Sequence, residues 1–181
     1  KIEGYYQSQT PCKIMTQPEI KDYLEQLNEI LKSIDIKGEI CLYGGAVMCL
    51  VYNARPSTKD VDAIFEPVPK LRAAIEKVAH ANNLDEDWLN DSVKGFVVNH
   101  NQQIFFNWPN LKIYIPEPDY LLAMKTLASR VDTMDKDDIQ FLINKMEITT
   151  AEEVFNILEK YYPKQQIKQA TQFFIEELFA Q

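Results

Sequence analysis

Apolar residues recur at Ile20, Tyr23, Leu24, Leu27, Ile30, Leu31 and Ile34, the three-to-four spacing that lines one face of a helix. Thr16-Gln17-Pro18-Glu19 opens this helix: Thr16 caps it, Glu19 completes a capping box, and Pro18 is tolerated in the first turn. Glu39-Ile40-Cys41-Leu42-Tyr43 is short, apolar and β-prone, and Gly44-Gly45 ends it abruptly. Ala46 to Tyr52 is almost wholly apolar and predicts a buried helix; Arg55 to Thr58 is a loop. Asp60 to Phe65 alternates as a second strand, and Pro67 to His80 is amphipathic, with Leu71, Ala74, Ile75, Val78 and Ala79 inward. The pattern around Trp88-Leu89-Asn90-Asp91 fits neither period, while Phe96-Val97-Val98, Ile104-Phe105-Phe106 and Leu111 to Ile115 read as further short strands. Beyond Pro118 the pattern is helical, over Asp119–Arg130, Asp135–Lys145, Ala151–Lys160 and Lys164–Ala180, with Pro163 separating the last two.

That order places the chain in the mixed α/β (α+β) class: an α/β core over residues 1–117, with its N-terminal helix, and a helical part over residues 118–181 packed on it as one compact unit. A length of 181 residues is enough to bury a core without disulfides or a structural metal. No apolar run approaches a membrane span, and Lys1 to Thr10 holds no signal-peptide core, so a cytoplasmic protein is expected. Cys12, Cys41 and Cys49 are an odd set, two of them inside apolar runs, as free thiols in a reducing compartment would be. A net charge of −8 disfavours duplex DNA as a partner, because phosphate backbones are met by basic faces; a nucleotide or a single RNA end remains open.

Chemistry concentrates between residues 44 and 62. Asp60 and Asp62 stand two apart in a strand, so both carboxylates project from one face. Two like charges side by side repel, and a hard divalent cation such as Mg²⁺ is the natural compensation, since it takes carboxylate and phosphate oxygens together. Gly44-Gly45, between a strand and a helix, allows a sharp turn and a close approach to a ligand, and the free N–H groups of the following helix suit a phosphate. Either feature alone is commonly no more than a turn or a solvated strand edge. Together, at this spacing, they describe a site for a metal-loaded triphosphate.

Leu42-Tyr43-Gly44-Gly45-Ala46 followed by Arg55-Pro56-Ser57-Thr58-Lys59-Asp60-Val61-Asp62-Ala63 resembles the signature of the nucleotidyltransferase superfamily with the DNA polymerase β-like fold. Within it the likeness is nearest to the AbiEii-type toxins and to uncharacterised small bacterial nucleotidyltransferase-like proteins. An Arg-x-x-Thr-x-Asp-x-Asp stretch follows the glycine helix in those proteins, as Arg55, Thr58, Asp60 and Asp62 do here. Trp88-Leu89-Asn90-Asp91 is similar to a motif of the uncharacterised group, and Leu121 to Arg130 with Asp135-Lys136-Asp137-Asp138-Ile139 is similar to a later Lys-bearing helix and its acidic sequel. The resemblance runs from about Gln17 to Lys145 and implies a mixed sheet flanked by helices.

It also implies roles. Asp60 and Asp62 would bind Mg²⁺ or Mn²⁺ and serve catalysis, Gly44 and Gly45 would hold NTP phosphates, and Arg55 and Thr58 would support the loop or touch the phosphates. Lys125 either adds positive charge at the phosphates or snorkels outward beside its apolar stripe. Arg130 contacts the nucleotide or simply ends its helix. Asp138 orients Lys125 or an acceptor group, or is a capping or surface charge, and Asp135 reads as an N-cap. Many members carry a third carboxylate on a later strand; Leu111 to Ile115 has none, which leaves Asp91, Glu117 and Asp119 as candidates. Trp88 and Trp108 either stack on a base or pack. The expected activity moves an NMP from an NTP to an acceptor hydroxyl on an RNA end, a protein or a small molecule, with an antitoxin partner if the toxin likeness holds. A non-catalytic nucleotide-binding or scaffold module of the same fold is the alternative, and a structural helical protein in which these residues lie far apart is a third.

Overall fold

The computed structural model describes residues 13–128 and 133–180. The elements run β1 (Met15–Thr16), α1 (Gln17–Ser33), β2 (Gly38–Leu42), α2 (Gly44–Leu50), β3 (Ser57–Thr58), β4 (Val61–Glu66), α3 (Val68–Asn82) and β5 (Leu89–Asn90). They continue with β6 (Gln102–Asn107), β7 (Leu111–Pro116), α4 (Pro118–Ala128), α5 (Thr133–Lys145), α6 (Ala151–Tyr161) and α7 (Gln169–Phe179). Five strands form one mixed sheet in the order β5-β4-β2-β7-β6. At its centre β2 pairs antiparallel with β4 and parallel with β7, while β5 runs parallel to β4. The α+β class expected from the patterning is the class observed.

Alternation decides which face of the sheet is buried. Along β4, Val61, Ala63 and Phe65 are buried and Asp62 and Ile64 are half-buried. In register with Phe65 and Ala63 stand Ile40 and Leu42 of β2, and Ile40 in turn pairs with Ile113 of β7, all buried. This face lies under α1 and α3: a Cβ placed on Gly38 would meet Leu31 of α1 at 2.8 Å and Leu71 of α3 at 3.4 Å. The opposite face carries Glu39, Glu66 and Lys112 along with Asp62, interleaved with buried Cys41 and half-buried Ile64 and Tyr114, so it is the more polar of the two.

Local chemistry fixes the boundaries. The Glu19 carboxylate accepts from the Thr16 backbone N–H at 2.9 Å and from its hydroxyl at 3.0 Å, holding the entry to α1. Asn83 closes α3 in the left-handed conformation at φ 55°, and Thr150 accepts from Glu153 N–H at 3.3 Å to cap α6. Buried side chains of α5, α6 and α7 (Ile139, Leu142, Val154, Leu158, Ile175) join the same apolar cluster as the sheet. No helix among the described residues is long and apolar enough to cross a membrane.

Three expectations are corrected. Phe96-Val97-Val98 is no strand: Ser92–Gly95 forms a 3₁₀ turn, and Val98 N–H then donates to the Tyr120 hydroxyl at 3.0 Å, so tertiary bonding replaces a sheet ladder. The segment predicted as a helix over Lys164–Ala180 opens as a 3₁₀ turn at Lys164–Gln166, and α7 begins only at Gln169. Ser57 and Thr58, read as loop, pair with Thr16 and Met15, which ties the loop before β4 to the entry of α1.

Candidate active site

The antiparallel pairing of β2 with β4 sets the exit of β2 beside the entry of β4, and everything in the site follows from that meeting. Tyr43 N–H donates to the Asp62 carbonyl at 2.8 Å, so the glycine turn and the acidic strand are bonded directly. Gly44 then adopts φ +62°, which a side chain resists, and a Cβ there would stand 3.0 Å from Asp62 Oδ2. Gly45 is bare for a different reason: a Cβ would lie 2.8 Å from Arg55 Nη1 and 2.9 Å from Thr58 Oγ1. The turn is thus packed on one side by the Asp62 carboxylate and on the other by the Arg-x-x-Thr loop.

A cavity of about 580 Å³ opens here, within the range of small-molecule sites. Gly44, Gly45, Arg55, Thr58, Asp60, Asp62 and Lys125, all singled out in the sequence, line it. Asp60 precedes β4 and is exposed, whereas Asp62 is half-buried. Thr58 Oγ1 donates to the Asp60 carbonyl at 3.1 Å, which fixes the approach of the loop to the strand. Burial first, and the Asp60 charge second, push the Asp62 carboxyl above its ordinary value; hydrogen bonds from Ser92 and Asn90 and the Lys125 charge act the other way without cancelling the rise.

Lys125 turns into the cleft rather than outward, 7 % exposed. Its Nζ sits 2.6 Å from Asp138 Oδ2 and 3.7 Å from Asp135 Oδ1. Asp138, also buried, takes both cations: Arg55 Nε donates to its Oδ1 at 3.2 Å, and Arg55 Nη2 donates to its Oδ2. Asp138 is therefore no surface charge but the junction of the loop, α4 and α5. Asp135 is no N-cap either, because α5 begins at Thr133 and places it in the first turn. Arg130 lies outside the described residues, as does Cys12.

The three further acids stand apart from the cavity. Asp91 pairs with Arg72 at 3.2 Å, and Asp119 accepts from Lys160 at 2.7 Å and from the Tyr161 hydroxyl at 2.6 Å. Glu117 belongs to the link into α4, its N–H on the Asn101 carbonyl. The strand position beside Asp62 is filled by a neutral residue, Asn90, in parallel register with it, and Ser92 Oγ donates to Asp62 Oδ1 at 3.3 Å. Asn90 entered the sequence reading only within the Trp88-Leu89-Asn90-Asp91 motif and Ser92 not at all; pairing of β5 with β4 is the signal, and a two-residue strand leaves no periodicity to find. The sequence also missed Tyr43, Phe96, Met124, Tyr162, Gln166 and Lys168 as lining residues. Trp88 packs, with its Nε1 donating to the Ile75 carbonyl at 3.2 Å, and Trp108 stacks on Phe106 at 4.6 Å; neither lines the cavity. Cys41 and Cys49 are free and buried, and burial raises the Cys41 thiol to about 11.

A mixed sheet that sets a glycine turn against an Asp-x-Asp strand, with a lysine and an arginine on the facing wall, defines a core of the nucleotidyltransferase type. The chain belongs to the family described as "Nucleotidyltransferase of unknown function (DUF6036)", whose profile matches residues 19–176. Comparison with curated proteins and with solved structures finds no match.

Proposed function

We propose that the chain transfers a nucleoside monophosphate from an NTP to an acceptor hydroxyl, with Mg²⁺ or Mn²⁺ held by Asp60 and Asp62. The observation that carries this reading is the juxtaposition of Asp62 Oδ2 with the Gly44 turn inside the cavity that Lys125 and Arg55 also line. The donor set suits such a cation. No group of three or more His, Cys, Asp or Glu poised for a metal occurs among the described residues, and Mg²⁺ commonly uses one or two carboxylates and completes its shell with water and substrate phosphate. When bound, the cation supplies charge neutralisation at the phosphate oxygens.

The chain's own residues do the rest. Gly44 and Gly45 offer backbone N–H groups at the start of α2 to phosphate oxygens. Lys125 adds a positive charge on the facing wall, and Asp138 holds Lys125 and Arg55 in place while Thr58 fixes the Asp60 backbone. The acceptor oxygen bonds to the α-phosphorus, the bond from that phosphorus to the bridging oxygen breaks, pyrophosphate leaves and the hydroxyl proton passes to solvent. The net charge of −8 favours a protein side chain, a small molecule or a short RNA end over a long nucleic acid. A toxin related to the AbiEii type, with an antitoxin partner, is the form this activity takes if the acceptor is cellular RNA. NTP supply and the free thiols fit the cytoplasm.

One observation favours a second reading. Asn90 beside Asp62 cannot take a proton, and the further carboxylate that lines the cavity, Asp135, is engaged by Lys125 at 3.7 Å, as a nucleotide-binding module without turnover would be built. Incubation with each labelled NTP, Mg²⁺ or Mn²⁺ and cell extract separates the two. Label transfer that disappears in Asp60→Asn/Asp62→Asn supports the enzyme, and NTP binding without transfer supports the module. If neither metal nor NTP raises the melting temperature, both fail, because a ligand of the folded state must stabilise it.

A further inference from the structure

The polar end of the cavity is built from Gly44, Gly45, Asp60 and Asp62, but Val93, Phe96, Leu121, Met124 and Leu127 give the rest of it an apolar lining. A triphosphate and its cation have no use for such a wall. Phe96 stands out within it. The residue is 66 % exposed although its backbone is fixed from two sides: its N–H donates to the Val93 carbonyl at 2.8 Å, and its carbonyl accepts from the Tyr162 hydroxyl at 3.0 Å. Tyr162 is itself buried and bonded to Tyr120, so this anchor belongs to the core. Among the described residues no aromatic ring pairs with Phe96. A phenyl ring on an anchored backbone, uncovered and lining a cavity, is what a planar ligand needs for stacking.

We infer that Phe96 is the stacking platform for the nucleobase, and that the apolar part of the cavity, to which Met124 of α4 contributes, is the base pocket. This rests on the nucleotide reading above and adds to it where the base sits. The short distance in sequence from Ser92, which touches Asp62, to Phe96 places both ends of one nucleotide on a single turn. Stacking on a phenyl face accepts every base, so the pocket takes all four NTPs, purines more tightly for their larger overlap.

The test is calorimetric titration of the full chain, in Mg²⁺, with ATP, CTP and inorganic tripolyphosphate, for the wild type, Phe96→Ala and Phe96→Trp. Melting temperatures close to wild type confirm that each variant folds, as expected for an exposed ring. The expected result is a loss of roughly tenfold or more in ATP affinity for Phe96→Ala, recovery in Phe96→Trp, and unchanged tripolyphosphate affinity throughout. Equal ATP affinity in wild type and Phe96→Ala, or an equal loss for tripolyphosphate, overturns the inference and leaves the nucleotide reading standing. If the wild type binds neither ATP nor tripolyphosphate, the nucleotide reading itself fails and takes the base pocket with it.

Discussion

Replacing Asp138 by alanine leaves two cations facing each other in a place built to neutralise them. Arg55 loses both of its bonds to the carboxylate, and Lys125 loses its contact at 2.6 Å and keeps only Asp135 at 3.7 Å. The Arg55 side chain is 14 % exposed and that of Lys125 is 7 %, so water reaches neither freely. Removing one partner of a buried ionic cluster costs about 3–5 kcal/mol, because the remaining charges stay desolvated. The cavity gives Arg55 and Lys125 a partial outlet, which places the expected loss near the low end, about 3 kcal/mol. For a chain of this size that corresponds to a fall of roughly 6–12 °C in melting temperature. Equilibrium unfolding in urea, followed by circular dichroism, reads it as a lower midpoint at unchanged slope. The triple variant Arg55→Met/Lys125→Met/Asp138→Leu serves as the control: with no charge left to strand, its stability returns to within about 1 kcal/mol of wild type or above it. A loss below about 1 kcal/mol in Asp138→Ala, the scale of an exposed ion pair, would refute the assignment of Asp138 as a buried junction.

Two other substitutions probe the turn and the acids. Gly44→Ala forces an L-residue into φ +62° and pushes a methyl toward Asp62 Oδ2, with an expected cost of about 1–2 kcal/mol and loss of Mg²⁺-dependent stabilisation in a thermal melt. Gly95→Ala, where nothing lies within 4 Å, is the neutral comparison. Asp62→Asn is expected to raise the stability of the metal-free protein at neutral pH. The folded-state value of this carboxyl lies above its unfolded one, so its contribution is fully present below the unfolded value of 3.8 and is lost as pH rises through the folded value. Melting curves from pH 3 to pH 7 (about the carboxylate range) should therefore show wild type losing ground to Asp62→Asn as pH increases; parallel curves would contradict the burial of this group.

Much of the site was legible because it is local. Gly44, Gly45, Asp60 and Asp62 sit within one strand-helix-loop-strand unit, and the alternation of Val61, Ala63 and Phe65 against Asp62 specifies the face without any knowledge of the rest of the chain. Lys125 was legible as a lysine beside an apolar stripe, but its direction was not, since snorkelling and burial leave the same pattern until α5 brings Asp138 to meet it. Phe96-Val97-Val98 misled because a short apolar run carries no period, and the hydroxyls of Tyr120 and Tyr162 that capture its backbone come from α4 and from the residue just past α6. The placement of Asn90 and Ser92 beside Asp62 was invisible for the same reason: Asp62 is 28 and 30 positions away along the chain.

The two-residue ladder between Met15–Thr16 and Ser57–Thr58 has a mechanical side. Met15 is wholly buried and Thr58 holds the Asp60 carbonyl, so the segment leading into α1 is stapled to the loop that carries the first acid. Force or crowding applied ahead of Met15, by a fused partner or a tether, would be transmitted through two pairs of residues to the loop that leads to Asp60 at the cavity.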